Sequence, residues 1–201
     1  MTKGTPRRRV DYELIEELIE PSSRVLDLGC GDGQLLLELV EKKQAVARGI
    51  EIDDARALEC VSQGLAVYHG DLLEGLGFYG DRSFDTVILS QTLQQTLNPR
   101  RVLREMLRVG KRAIISFPNF GHWSVRLQLM FLGRMPRTRH LPYDWYDTPN
   151  VHLLTVRDFR RFAAAENARI LKEIFLTARG ERMTPIFENL RATLAIFLLE
   201  K

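Results

Sequence analysis

The sequence predicts an α/β fold of the Rossmann-like kind, with parallel strands joined by crossover helices. Three observations carry that prediction. Strand-like apolar runs alternate with helix-like patterns along most of the 201 residues, the rhythm that builds a parallel sheet. A glycine-rich turn, Gly29-Cys30-Gly31-Asp32-Gly33, follows the first of these runs, where open α/β sheets bind ligands. Acidic residues, Glu51 and Asp71, sit at the ends of the second and third runs.

The elements follow in order. A first helix is expected over 12–19, stopped by Pro21, and a first strand over 24–28. After the turn come a helix over 34–43 and a second strand over 45–50. Asp53 or Asp54 caps the next helix, which runs toward Gln63 and is ended by Gly64. Strands three, four and five are expected over 66–69, 84–89 and 112–117, with Pro99 in the first turn of a helix over 100–109. The rhythm then breaks over 118–154, a stretch too long for an ordinary connection, which holds His122, Trp123, Tyr143, Trp145 and Tyr146 among several prolines. Thr155 and Asp158 read as a capping box opening a helix to about Asn167, and closing strands are expected over 170–175 and 193–199.

Length and composition bound the function. The chain is long enough for one compact domain, expected over 10–201 behind a flexible basic start at 1–9. A hydrophobic share of 45% and a charged share of 27% are ordinary for a soluble protein, and no apolar run is long enough to cross a bilayer. Cys30 and Cys60, the two cysteines, give neither a disulfide framework nor metal-ligand spacing, and with no secretion signal visible the expected location is the cytoplasm. The net charge of +3 is a narrow excess. Basic residues cluster only at Arg7-Arg8-Arg9 and among Arg134, Arg137 and Arg139, which argues against a nucleic-acid surface and keeps an RNA-directed activity a remote reading.

The glycine turn carries the chemistry. A dinucleotide site needs the spacing G-x-G-x-x-G and free helix amides for a pyrophosphate. Here Gln34 stands where the third glycine would be, and Asp27 and Asp32 would set carboxylates beside the phosphates. S-adenosylmethionine has no phosphate and carries an ammonium and a sulfonium, which acids suit. Asp27 is assigned to the amino group, directly or through water. Glu51 is placed to accept both ribose hydroxyls, Asp71 to accept from the adenine amine, and Leu72 or Ile52 to pack on the ring. Asp53 reads as a helix cap only.

Glycine turn, acid after strand two and Gly70-Asp71 after strand three form an ordered set that resembles class I S-adenosylmethionine-dependent methyltransferases. The resemblance implies a seven-stranded, mostly parallel sheet in three αβα layers with an antiparallel last strand, and it implies that Ser90 and Gln91 border the methionine part of the cofactor. Methyl transfer itself leaves a weaker trace. The segment 90–96 lacks the Asn/Asp-Pro-Pro-aromatic element of many nitrogen-methylating enzymes, which argues against DNA adenine chemistry. Neither cysteine is a convincing methyl acceptor, and His122 and His152 are the histidines to test as bases, with His69 and His140 reading as ordinary polar positions.

The insertion is more specific than the turn. Its segments Asn119-Phe120-Gly121-His122-Trp123 and Tyr146-Asp147-Thr148-Pro149-Asn150-Val151-His152 resemble the MetW family of methionine biosynthesis proteins, over nearly the whole chain. Gln34 departs from the family, where an acid is expected. The resemblance implies an accessory subunit that associates with and activates a homoserine O-acyltransferase of the α/β-hydrolase type, and that couples the acyltransferase to the level of S-adenosylmethionine. It further implies that Asp27, Gly29, Cys30, Gly31, Asp32, Gly33 and Gln34, with the residues after the later strands, bind S-adenosylmethionine or S-adenosylhomocysteine. A free-standing small-molecule methyltransferase, with the insertion as a lid, is the alternative reading.

Overall fold

In the computed structural model, residues 9–138 and 141–201 are described. Seven strands form one sheet, in the order β3-β2-β1-β4-β5-β7-β6. They are β1 (Arg24–Leu28), β2 (Val46–Glu51), β3 (Ala66–His69), β4 (Phe84–Ser90), β5 (Gly110–Pro118), β6 (Arg169–Leu176) and β7 (Leu194–Glu200). The first five pair in parallel, and β7 lies antiparallel between β5 and β6. This is the sheet of the methyltransferase-type Rossmann-like fold.

Helices cover both faces. Strand geometry sends alternate side chains to opposite sides. Leu26 and Leu28 of β1 therefore join the core under α4 (Leu72–Gly77), α5 (Pro99–Val109) and α7 (Val156–Ala165). Val25 faces the other way, into the core beneath α1 (Val10–Glu17) and α2 (Gln34–Lys43). A satellite cluster of Cys30, Leu36, Cys60 and Leu65 seats α3 (Asp54–Ser62). The α5/α7 side holds a ring cluster, with Phe159 4.5 Å and Phe117 5.7 Å from Phe197 between centroids.

The same parity places the site. Asp27 shares its face with Val25, Ser90 with Ile88 and Ser116 with Ile114, so all three polar groups emerge at the sheet end that α1 covers. The strand order reverses between β1 and β4, so the chain leaves these two strands in opposite directions and opens a crevice beyond their C-terminal ends.

Local signals account for most element ends. Asn98 accepts from Arg101 N–H to cap α5, with Pro99 in its first turn, and Thr155 and Asp158 form the full capping box of α7. Asp53, not Asp54, caps α3 by accepting from Arg56 N–H at 3.0 Å. The first helix begins two residues earlier than expected, at Val10, and β2 extends one residue further to include Glu51.

Three helices escape the sequence pattern. Helices α4 and α8 (Glu188–Arg191) are short, and α6 (Trp123–Leu132) lies inside the expected irregular insertion. The reason α6 is illegible is compositional. It is apolar on most sides and buries only Val125, so it has no 3.6-residue stripe. His122 caps its start and Gly133, at φ 59°, ends it. Residues 1–8, with Arg7 and Arg8, and residues 139–140, with Arg139 and His140, lie outside the described residues. Arg9, expected in a flexible solvated tail, instead has its side chain bonded into the sheet end through Asp11 and Ser90. No helix among the described residues is long and apolar enough to cross a membrane.

Candidate functional site

The glycine turn closes tightly on β2. Gly29 and Cys30 both donate their N–H to Ile50 O, at 2.7 and 3.2 Å, and Gly33 donates to Cys30 O. Gly31 and Gly33 take left-handed backbone angles, with φ 60° and 79°. At Gly33 a β-carbon would lie 2.5 Å from Leu65 and 2.9 Å from Cys60 Sγ, so the turn needs glycine for space as well as for conformation. At Gly31 a β-carbon would meet nothing within 4 Å, because that glycine faces a cavity.

This cavity, of about 770 Å³, opens beyond the ends of β1, β2 and β4. Its volume falls in the range of small-molecule sites, roughly 300–1,000 Å³. Of the residues expected at a cofactor, Gly29, Gly31, Glu51 and Ile52 line one wall. Asp71, Leu72, Ser90 and Gln91 line others. Asp27, Cys30, Asp32, Gly33 and Gln34 are not among its lining residues. Cys30 points into the satellite core, 4.0 Å from Cys60 Sγ, and burial holds its thiol well above the usual range. Both cysteines are free. Asp32 Oδ1 accepts from Gln34 N–H at 3.2 Å at the start of α2, and the Gln34 side chain leans on Glu38.

The acids are held by the backbone. Glu51 is 5% exposed and accepts from Gly31 N–H at 2.7 Å with one carboxylate oxygen, and from Ile52 and Asp53 N–H at 2.9 Å with the other. Four lone-pair positions against three donors leave it acceptor capacity at the cavity wall. Asp71 caps α4 by accepting from Leu73 N–H through Oδ1 at 2.8 Å. Ile52 is 68% exposed, which frees its side chain to lie across a flat ring.

Asp27 is different. It is 3% exposed, and its Oδ1 has no hydrogen-bond partner among the described residues. Burial pushes its carboxyl up to about 7, with Arg9 opposing that rise and Glu51 and Asp11 adding to it. A buried carboxylate oxygen without a donor is costly, and an ammonium group from a ligand would relieve it. The residues present thus fit S-adenosylmethionine. Glycines allow close approach, Asp27 offers an open oxygen for the amino group, and Glu51 offers an acceptor for hydroxyls.

Around Ser90 a polar network closes the other side. Asp11, 3% exposed, accepts from Arg9, from Ser90 Oγ at 3.1 Å and from Gln91 Nε2 at 2.9 Å. Gln91 sits at φ 52°, a conformation that side chains disfavour. It is held there by its N–H bond to Ser116 O at 2.9 Å. Arg9 and Tyr12 also line the cavity, and no local motif marked either of them. A signal did exist, in that an early arginine and acid precede the first strand, but nothing in the sequence says which strand end they cover.

The insertion reaches the same cavity. Pro142, Tyr143, Pro149 and Asn150 line it, and Gln94 O accepts from Val151 and His152 N–H at 2.8 and 3.0 Å. Gln94 Oε1 is buried without a partner among the described residues. The candidate bases lie elsewhere. His122 bonds Ser124 at the head of α6, and His152 lines a separate apolar pocket; His69, read as an ordinary polar position, pairs with Asp54.

Comparison with known proteins follows the same lines. The model of the family "Methionine biosynthesis protein MetW" matches residues 9–199. A bifunctional methionine biosynthesis protein MetXA/MetW from Rhodopirellula baltica is 37% identical over 96% of this chain. The match takes in 33% of that relative, so this chain spans about a third of its length. Among solved structures, an S-adenosylmethionine-dependent methyltransferase from Archaeoglobus fulgidus superposes with a TM-score of 0.68 at 17% identity, over 94% of each chain. The [4+2]-cyclase SpnF superposes with a TM-score of 0.67 at 17% identity, over 94% of this chain and 80% of that one. These two show the fold alone, and their different titles show that it hosts more than one chemistry.

Proposed function

The chain belongs to the MetW family of methionine biosynthesis proteins, and from that premise we propose that it is a ligand-binding accessory subunit of a homoserine O-acyltransferase. The observation that carries the partner is the Rhodopirellula relative, whose name joins MetXA and MetW in one polypeptide. Fusion holds two modules at high effective concentration, a gain that matters when they work together.

The ligand of this subunit is S-adenosylmethionine or S-adenosylhomocysteine, held in the 770 Å³ cavity. Asp27 pairs with the amino group, Glu51 with the ribose hydroxyls, and Ile52 and Leu72 pack on the adenine beside Asp71. Bound there, S-adenosylmethionine would supply an activated methyl group, and S-adenosylhomocysteine would not. The chain's own residues bind and orient it. Charged side chains, Arg9, Glu51, Arg56 and Asp71, line parts of the cavity, but the stretch of wall formed by Gln91, Gln94, Gln95, Asn98 and Asn150 is neutral, and none of these five takes a proton at neutral pH. That wall favours sensing over chemistry. Differential affinity for the free and the partner-bound states would couple ligand level to acyltransferase rate.

Co-expression with the acyltransferase, size-exclusion chromatography and acyl-transfer assays test the proposal. A stable complex whose rate changes with S-adenosylmethionine is expected, and separate elution with no change in rate would defeat it. A second reading, a free-standing small-molecule methyltransferase, is favoured by the unpaired Gln94 Oε1, an acceptor for a second molecule under the insertion. Transfer of labelled methyl to a metabolite, lost in Glu51→Ala, would establish it instead.

A further inference from the structure

The cavity presents a cation, Arg9, which lies near enough to the buried Asp27 to oppose the rise of its carboxyl. Arg9 stands at the head of α1, and its guanidinium is fixed from several sides. Its Nε and Nη2 donate to the Asp11 carboxylate at 3.1 and 2.5 Å, Nη2 donates to Ser90 Oγ at 2.8 Å, and Nη1 donates to Tyr12 OH at 3.2 Å. The guanidinium carbon lies 4.4 Å from the centre of the Tyr12 ring. A guanidinium has five N–H groups. Among the described residues four are taken, leaving one on Nη1. The Tyr12 hydroxyl accepts from Arg9 and keeps its own hydrogen to give, and burial pushes its pKa up, so that it stays protonated. Arg9 and Tyr12 line the cavity beside Gly29 and Gly31.

We propose that Arg9 and Tyr12 form an anchor for the carboxylate of a free α-amino-acid group whose ammonium lies at Asp27. The cavity then selects ligands that end in a zwitterionic amino acid over those that end in an amine or an alkyl group. This rests on the cofactor reading above and narrows it to one end of the ligand. The charges support the assignment. A ligand bringing only an ammonium would set a second cation near the guanidinium, with no anion of its own between them. A ligand carboxylate supplies that anion and receives two donors held in place beforehand. Asp11, bonded to Arg9, Ser90 and Gln91 together, positions the anchor and ties it to the end of β4.

Calorimetric titration of the full chain with three probes tests the anchor. S-adenosylmethionine carries the whole amino-acid group, decarboxylated S-adenosylmethionine lacks the carboxylate, and 5′-methylthioadenosine lacks the amino-acid end altogether. In Arg9→Gln the affinity for S-adenosylmethionine should fall about tenfold or more, and in Tyr12→Phe about threefold. Affinities for the other two probes should stay within about twofold, which also shows that the variants are folded. Equal loss for all three probes, or an undiminished preference for the carboxylate in both variants, would overturn the anchor. Wild-type protein that binds all three probes alike would overturn it while leaving the cofactor cavity standing. Binding of none would overturn both.

Discussion

The glycine turn and the insertion meet at one cavity but are built in opposite ways. In the turn, nearly every polar group has a backbone partner, as with Glu51 and its three amide donors. Gly33 has no room for a side chain. In the insertion, large apolar side chains face solvent. Met130 is 67% exposed, Phe131 73% and Trp145 72%. The contrast teaches that the first region is finished within the chain, since its shape depends on bonds to β2 already made. The second carries apolar area that the isolated chain does not bury.

The most disruptive way to break this contrast is Gly33→Val. Its β-carbon would overlap Leu65 and Cys60 in a left-handed backbone, so unfolding by denaturant should show a loss of about 3 kcal/mol. A loss below about 0.5 kcal/mol would show the turn to be adaptable.

Asp27→Asn sharpens it. The wild-type carboxyl is raised from 3.8 to about 7 on folding. The folded state therefore holds a proton that the unfolded chain releases, and stability of the ligand-free protein falls as pH rises between these values. The variant lacks this penalty. It should be more stable than wild type at pH 8, by on the order of 2 kcal/mol, while binding S-adenosylmethionine at least about tenfold more weakly. Parallel stability curves for the two proteins from pH 4 to pH 8 would contradict a buried, raised carboxyl.

The smallest expected effect lies in the insertion. Met130→Ser with Phe131→Ser removes two exposed side chains, so the unfolding free energy of the isolated chain should move by less than about 0.5 kcal/mol. Binding of 5′-methylthioadenosine should be unchanged. A large loss of stability would mean that α6 packs on its own domain more than its exposure indicates.

How much could be read in advance follows the range of each signal. The boundaries of α2 and β3 and the capping box of α7 rest on residues a few positions apart, and each formed as expected. The missed α6 has no apolar stripe, so periodicity had nothing to detect. In the site, Glu51 and Asp71, which line the cavity, stood out because each sits at the end of a strand-like run. Arg9 and Tyr12 were not, because their places depend on α1 packing over β4, some eighty residues away, as in the Arg9 to Ser90 bond.

The sequence by itself determined the α/β class, the glycine turn, the acids that disfavour phosphate and the family. All of these are written in local spacing or in segments specific enough to stand alone. The tertiary structure decided what those residues face. Strand parity and the reversal between β1 and β4 set Asp27, Ser90 and Ser116 on one side under α1, left Asp27 with an unpaired buried oxygen, and brought Arg9 onto Ser90, within electrostatic reach of Asp27. Such contacts follow from strand pairing and helix packing over long separations, and no short stretch of the chain contains them.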